Sequence, residues 1–78
     1  MKVTVQYFGM LAEKTSANRE AVEFDGSSVS DLLEAVQSKY PELKEMQFQV
    51  AVDHEIATLD NKITEGSEIA FLPPFAGG

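Results

Sequence analysis

An α+β domain, with one main helix laid across one face of a sheet, is the fold class this sequence predicts. Three observations predict it. Several stretches alternate apolar and polar residues at period two, the pattern of half-buried strands. One stretch, from Val29 to Tyr40, instead carries its apolar residues at helical spacing. The chain has 78 residues and is 44% hydrophobic, which suits one packed core. So short a chain buries only roughly 60% of its unfolded surface, so each apolar position counts.

The elements follow in chain order. Met1, Val3, Val5 and Tyr7 alternate with Lys2, Thr4, Gln6 and Phe8, giving a first strand. Phe8 is out of phase with Val3 and Val5 and belongs to the opposite face. Gly9 ends the strand, and Met10 to Lys14 supplies about one turn of helix. Thr15 to Asn18 is a loop. Glu20, Val22 and Phe24 alternate with Ala21 and Glu23 in a second strand, closed by the turn pair Asp25-Gly26. Ser28 and Asp31 form a capping box that opens the main helix. Val29, Leu32, Leu33, Val36 and Tyr40 form its apolar stripe. Lys39 suits the negative end of its dipole, and Pro41 stops it.

Pro41 to Met46 connects to a third strand, in which Phe48, Val50 and Val52 alternate with Gln47, Gln49 and Ala51. Asp53-His54 is a turn, and Glu55 to Ala57 a short strand beyond it. Leu59 to Ser67 is polar and ends in a turn. The last strand, Glu68 to Leu72, points Ile69 and Phe71 one way and Ala70 and Leu72 the other. Residues 1–72 thus make the domain, and residues 73–78 an extended tail. Pro73 and Pro74 have no N–H to donate and halt the strand. Ala76, Gly77 and Gly78 then narrow the chain. Six extended residues reach at most about 20 Å, enough to thread a cleft in another protein. Glycines fit a narrow channel and adopt backbone angles closed to other residues.

One helix covers one face of such a sheet. Phase leaves Phe8 and Leu72 on the other face, and Phe75 on the tail extends that apolar group. A cluster of this kind marks a surface for a partner. Phe8, Leu72 and Phe75 are therefore the candidate partner interface.

Composition removes several function classes. The net charge is −7, with 13 acidic residues against six basic ones, which disfavours nucleic acid and favours a partner with a basic surface. There is no cysteine, hence no disulfide framework, thiolate metal site or thiol nucleophile. No apolar run is long enough to span a membrane, and Met1-Lys2-Val3 leads straight into a strand without a secretory signal, so the cytoplasm is the expected location. His54 stands alone in a turn, no two carboxylates form an acid–base pair, and no phosphate loop or metal-ligand spacing is present. The expectation is a chain with no active site, bound cofactor or metal of its own. Its remaining reactive group is the carboxylate of Gly78. A carboxylate repels nucleophiles, so another enzyme must activate it, most simply by joining it to AMP from ATP. Glycine then presents the least crowded carbonyl to an amine, a thiol or a sulfur donor.

The element order, the Glu65-Gly66-Ser67-Glu68 turn and the ending Phe71-Leu72-Pro73-Pro74-Phe75-Ala76-Gly77-Gly78 resemble the ubiquitin-like β-grasp sulfur carriers, above all the small subunits of molybdopterin synthases. Val5 to Ala12 fits as well, and the resemblance covers essentially the whole chain. It implies a mixed sheet whose first and last strands lie parallel and central. It implies that an activating enzyme adenylates Gly78, which then becomes a thiocarboxylate. It further implies that Pro73, Pro74, Phe75, Ala76 and Gly77 insert into a large catalytic subunit within a heterotetramer. There the sulfur passes to a pterin precursor, forming the dithiolene that binds molybdenum or tungsten. Three other readings stand beside it. A thiamine-pathway sulfur carrier shares the Gly-Gly end but usually lacks the Pro-Pro-Phe-Ala run. A ubiquitin-like modifier would join Gly78 to lysine amines and leave conjugates. A plain binding module would keep Gly78 unmodified.

Overall fold

The computed structural model describes residues 1–74. Lys2–Tyr7 form strand β1, Met10–Thr15 helix α1, Arg19–Glu23 strand β2 and Val29–Lys39 helix α2. A short 3₁₀ helix, Pro41–Glu45, leads into β3 (Gln49–Val52), β4 (Glu55–Ala57) and β5 (Glu68–Leu72). The five strands form one mixed sheet in the order β2-β1-β5-β3-β4. β1 and β5 run parallel in its interior, and the remaining pairs are antiparallel. Among the described residues no helix is long and apolar enough to cross a membrane.

The period-two reading holds on the two parallel strands, β1 and β5; on β3, also interior, it fails, because Ala51 is buried as well as Val50. Val3, Val5 and Tyr7 are buried, as are Ile69 and Phe71. Register sets Val5 beside Ile69 and Tyr7 beside Phe71. β3 places Val52 and Val50 on the far side of the same two β5 residues, so the three strands share one apolar face. α2 lies on that face with Val29, Leu32 and Val36 almost wholly buried.

α2 begins where the sequence puts it. The Asp31 N–H donates to Ser28 Oγ at 3.2 Å, and Asp31 Oδ2 accepts from the backbone of Ser28 at 3.2 Å and of Ser27 at 3.0 Å. The hydrogen bond from the Ser27 backbone, with those from the Ser28 hydroxyl and backbone, holds the Asp31 carboxyl below its usual range. Gly26 permits this approach: its φ is +116°, and a Cβ there would collide with the Asp31 side chain.

Leu33 departs from the expected stripe. It is only partly buried against the core, because it sits one residue, about 100° of helix rotation, past Leu32. Leu32→Ala is therefore expected to cost about 2–5 kcal/mol, and Leu33→Ala clearly less. Thermal melts of the two variants check this. A larger loss at Leu33 would mean that the helix is rotated from the position described.

Two further core residues lie in stretches that gave no periodic signal. Leu43, in the 3₁₀ helix, is fully buried where only a connection was expected. Ile63, inside the polar stretch before β5, is 3% exposed, and its N–H donates to Ser27 O at 2.7 Å. Phe24 and Phe48, which alternation placed in the second and third strands, lie just beyond the end of β2 and just before β3 begins; Phe24 is buried, and Phe48 stacks on Phe71.

Glu20, like Asp31, is half-buried. It accepts from Tyr7 Oη at 2.6 Å and from Lys39 Nζ at 2.9 Å, joining β1 and β2 to the last turn of α2. Burial opposes its charge, but these donors outweigh burial and hold the carboxyl below its usual range. Burial first, and the Glu20 carboxylate second, push the Tyr7 hydroxyl far above its ordinary pKa. His54 is exposed in the hairpin turn as expected, with Nε2 3.2 Å from Glu68 Oε1. Asp53 and His54 both have positive φ, 49° and 75°, which suits a two-residue hairpin.

Candidate functional site

The parallel pairing of β1 with β5 brings the ends of both strands to one edge of the molecule. Phe8 continues the ladder by one bond, its N–H donating to Phe71 O at 3.3 Å. Gly9 then turns the chain into α1 with φ 60° and ψ −134°, a conformation that side chains disfavour. A Cβ on Gly9 would lie 3.3 Å from Pro73 Cγ. The missing side chain thus lets the turn after β1 pack against the first residue of the tail. Leu11 and Ala12 donate back to the carbonyls of Phe8 and Gly9 and start α1.

Phe8, out of phase with the buried Tyr7, is 42% exposed, and Met10 is 61% exposed. With Leu11, Met46, Pro73 and Pro74 they line an open groove of about 590 Å³ at the root of the tail. Gly9 and Gln47 also line it, and among the described residues none of the lining is charged. The ion pair between Lys14 and Glu42, 3.4 Å, lies nearby, in a hollow that shares Met46 with the groove. Charge flanks the apolar surface without entering it, as in the core and rim of protein interfaces.

Of the residues singled out from sequence, Phe8, Pro73 and Pro74 come together in this groove. Leu72 is half-buried on β5, on the face opposite Phe71, and lies outside the groove lining. Phe75, Ala76, Gly77 and Gly78 lie outside the described residues. The sequence reading missed Met10, Met46 and Gln47. Met10 stood in a short helix and Met46 at the end of a connection, and neither belonged to a periodic face. Only the strand pairing makes them neighbours of Pro73.

A mixed sheet with parallel β1 and β5 inside it, crossed by one main helix, is the ubiquitin-like β-grasp. The chain belongs to the ThiS family, whose pattern matches residues 5–78. It is 40% identical over 82 aligned positions to the molybdopterin synthase sulfur carrier subunit of Mycobacterium tuberculosis, covering all of this chain and 99% of that one. It is 29% identical to the protein of that name from Chlamydomonas reinhardtii, over the full length of both. Among solved structures it is similar to small archaeal modifier protein 1, SAMP1, from Haloferax volcanii. That match has a TM-score of 0.85 and 27% identity and covers all of both chains.

Proposed function

We propose that this chain is the sulfur-carrying small subunit of a molybdopterin synthase. The observation that carries the reading is its full-length similarity, at 40% identity, to a protein of that name. The uncharged groove at the root of a Pro-Pro-Phe-Ala-Gly-Gly tail supports it. In this reading the domain is a handle, and the chemistry happens at Gly78. A separate activating enzyme uses ATP: a carboxylate oxygen of Gly78 attacks the α-phosphate, and pyrophosphate leaves. A sulfur nucleophile then displaces AMP from the acyl adenylate, leaving a thiocarboxylate. Pro73 to Gly77 carry this group into the large catalytic subunit, where the sulfur passes to a pterin precursor. Phe8, Leu72 and Phe75 dock the domain. The partners are cytoplasmic enzymes, which sets the proposed location.

Intact mass spectrometry tests the reading. Incubation with ATP, the cognate activating enzyme and a sulfur donor should raise the mass by the difference between one sulfur and one oxygen. The loaded protein, mixed with the large subunit and the pterin precursor, should then lose that gain. A mass that never changes would sink the proposal.

Docking has its own test. Phe75→Ala should weaken binding to the large subunit by about 1–3 kcal/mol, the range of aromatic interface anchors. The melting temperature of the isolated domain should hardly move, because Phe75 stands beyond the last strand. A titration and a thermal melt on one variant separate the two effects. A large drop in melting temperature would make Phe75 a core residue.

A second reading, a ubiquitin-like modifier, is favoured by one observation: the full-length likeness to a modifier protein at 27% identity. The same adenylate would then pass to a lysine amine and form an amide. Covalent conjugates surviving denaturation would support this use, alone or beside sulfur transfer.

A further inference from the structure

β2 and β4 are the edge strands of the sheet, and they differ. β4 has three residues, the kind of short edge that discourages pairing. β2 has five, Arg19–Glu23, with no proline or glycine and an unbroken register against β1.

The hydrogen bonds at its two ends fix which backbone groups β2 leaves over. The Phe24 N–H donates to Met1 O at 3.0 Å, the Met1 amino group to Phe24 O at 2.8 Å, and the Tyr7 N–H to Asn18 O at 2.9 Å. In an antiparallel ladder the bonded pairs recur at every second residue. Between those ends, Val22 and Glu20 thus bond to Val3 and Val5. Arg19, Ala21 and Glu23 turn their N–H and C=O groups outward, and among the described residues nothing bonds them. Their side chains lie on the face away from α2, because Val22 and Glu20 share the face of the buried Val3 and Val5. All three are exposed, and among the described residues neither Arg19 nor Glu23 has an ion-pair partner.

We propose that β2 pairs antiparallel with β2 of a second copy of this chain, about a two-fold axis at Ala21. The register is self-complementary. It sets Ala21 opposite Ala21, and Arg19 of each copy opposite Glu23 of the other. These are the residues with outward backbone groups, so each pair exchanges two N–H···O=C bonds. Opposite charges lie directly across from one another, the favourable cross-strand arrangement. A slip of two residues would set Arg19 or Glu23 opposite Ala21, and a parallel pairing in register would set like charges side by side. The contact is isologous and closes at two chains. It opposes a net charge of −7 on each copy. At physiological ionic strength that repulsion is largely screened beyond about 8 Å, whereas paired strands lie about 4.8 Å apart. Five residues a side is a small contact, so the dimer is weak and reversible. None of the five lines the groove at the root of the tail, so the pairing leaves both grooves open.

Sedimentation equilibrium of the full chain, at concentrations into the millimolar range, reads the pairing. Wild type should dimerise. Arg19→Glu and Glu23→Arg should each self-associate at least tenfold more weakly, because each sets like charges opposite one another. An equimolar mixture of the two variants should recover association, because the mixed pair is again complementary. Both side chains are exposed, so the fold should survive, and a melt of each variant confirms it. Glu23→Arg also makes the chain less negative. If it dimerised more strongly than wild type, net charge and not register would govern association, and the proposal would fall. A wild-type chain that stays monomeric throughout would overturn it too. So would a dimer that both variants leave intact, or a mixture no more associated than its components.

Discussion

Deletion of Gly78 is expected to abolish sulfur loading completely, with the fold unchanged. The two halves of this result have separate causes. Loading requires an activated carbonyl at the end of a chain narrow enough to enter the activating site. After Gly78 is removed, Gly77 becomes the terminus, one residue short of the reacting atoms. Displacing a reacting group by about 1 Å already costs about a hundredfold in rate, and one extended residue moves it by about 3.3–3.6 Å. The fold is indifferent because β5 ends at Leu72 and the apolar face it contributes is complete at Phe71. Intact mass after incubation with ATP, activating enzyme and sulfur donor reads the first half, and a thermal melt the second. Sulfur acquired by the shortened chain would move the site away from Gly78. A companion variant, Gly78→Ala, keeps the length and adds one methyl group beside the carbonyl. It should load more slowly than wild type but faster than the deletion, separating reach from crowding.

Much of this molecule was legible in its sequence because β1 and β5 are regular. Alternation in Val3 to Tyr7 and in Ile69 to Phe71 named the core face, and the Ser28–Asp31 box named the start of α2; the pairings and hydrogen bonds bear out both. The same phase argument placed Phe8 on the far side, where it is exposed. Legibility failed wherever burial is decided by tertiary neighbours alone. Leu43 and Ile63 are single apolar residues in polar surroundings, and nothing local distinguishes them from exposed ones. Leu33 failed for the opposite reason: it satisfied the helical pattern but lies at the border of the buried stripe. At the candidate site, Phe8 and Pro73 could be picked out singly, yet Met46 joins them only through the fold. The parallel placement of β1 and β5 came from resemblance to a family, not from periodicity, which cannot tell parallel from antiparallel neighbours.

Phe71→Ala should unfold most of the population, and it tests the packing on which the tail depends. Phe71 is fully buried at the middle of the sheet. The Tyr7 ring meets it edge-on, with centroids 5.6 Å apart and an 82° angle between planes. On its other side Phe48 stacks on it at 4.9 Å and 25°. Truncating a buried phenylalanine costs about 3–5 kcal/mol, and the lost aromatic pairs account for part of that. A single core of this size supplies little more than about 3–5 kcal/mol in total. For a domain this small each kcal/mol moves the melting temperature by roughly 4–8 °C, so the variant should be largely unfolded near room temperature. Phe71→Leu is the control: it keeps an apolar side chain and should melt between the two. The functional consequence follows from position. Phe71 O accepts the Phe8 N–H that holds the end of β1 against the root of the tail. Loss of this packing releases Phe8, Gly9 and Pro73 from one another and dissolves the groove they line. Binding to the large subunit should therefore fall with the folded fraction, and temperatures that refold Phe71→Leu should restore it. A Phe71→Ala variant that still melts cooperatively within a few degrees of wild type would show that the Tyr7–Phe71–Phe48 stack is not what holds β5 in place.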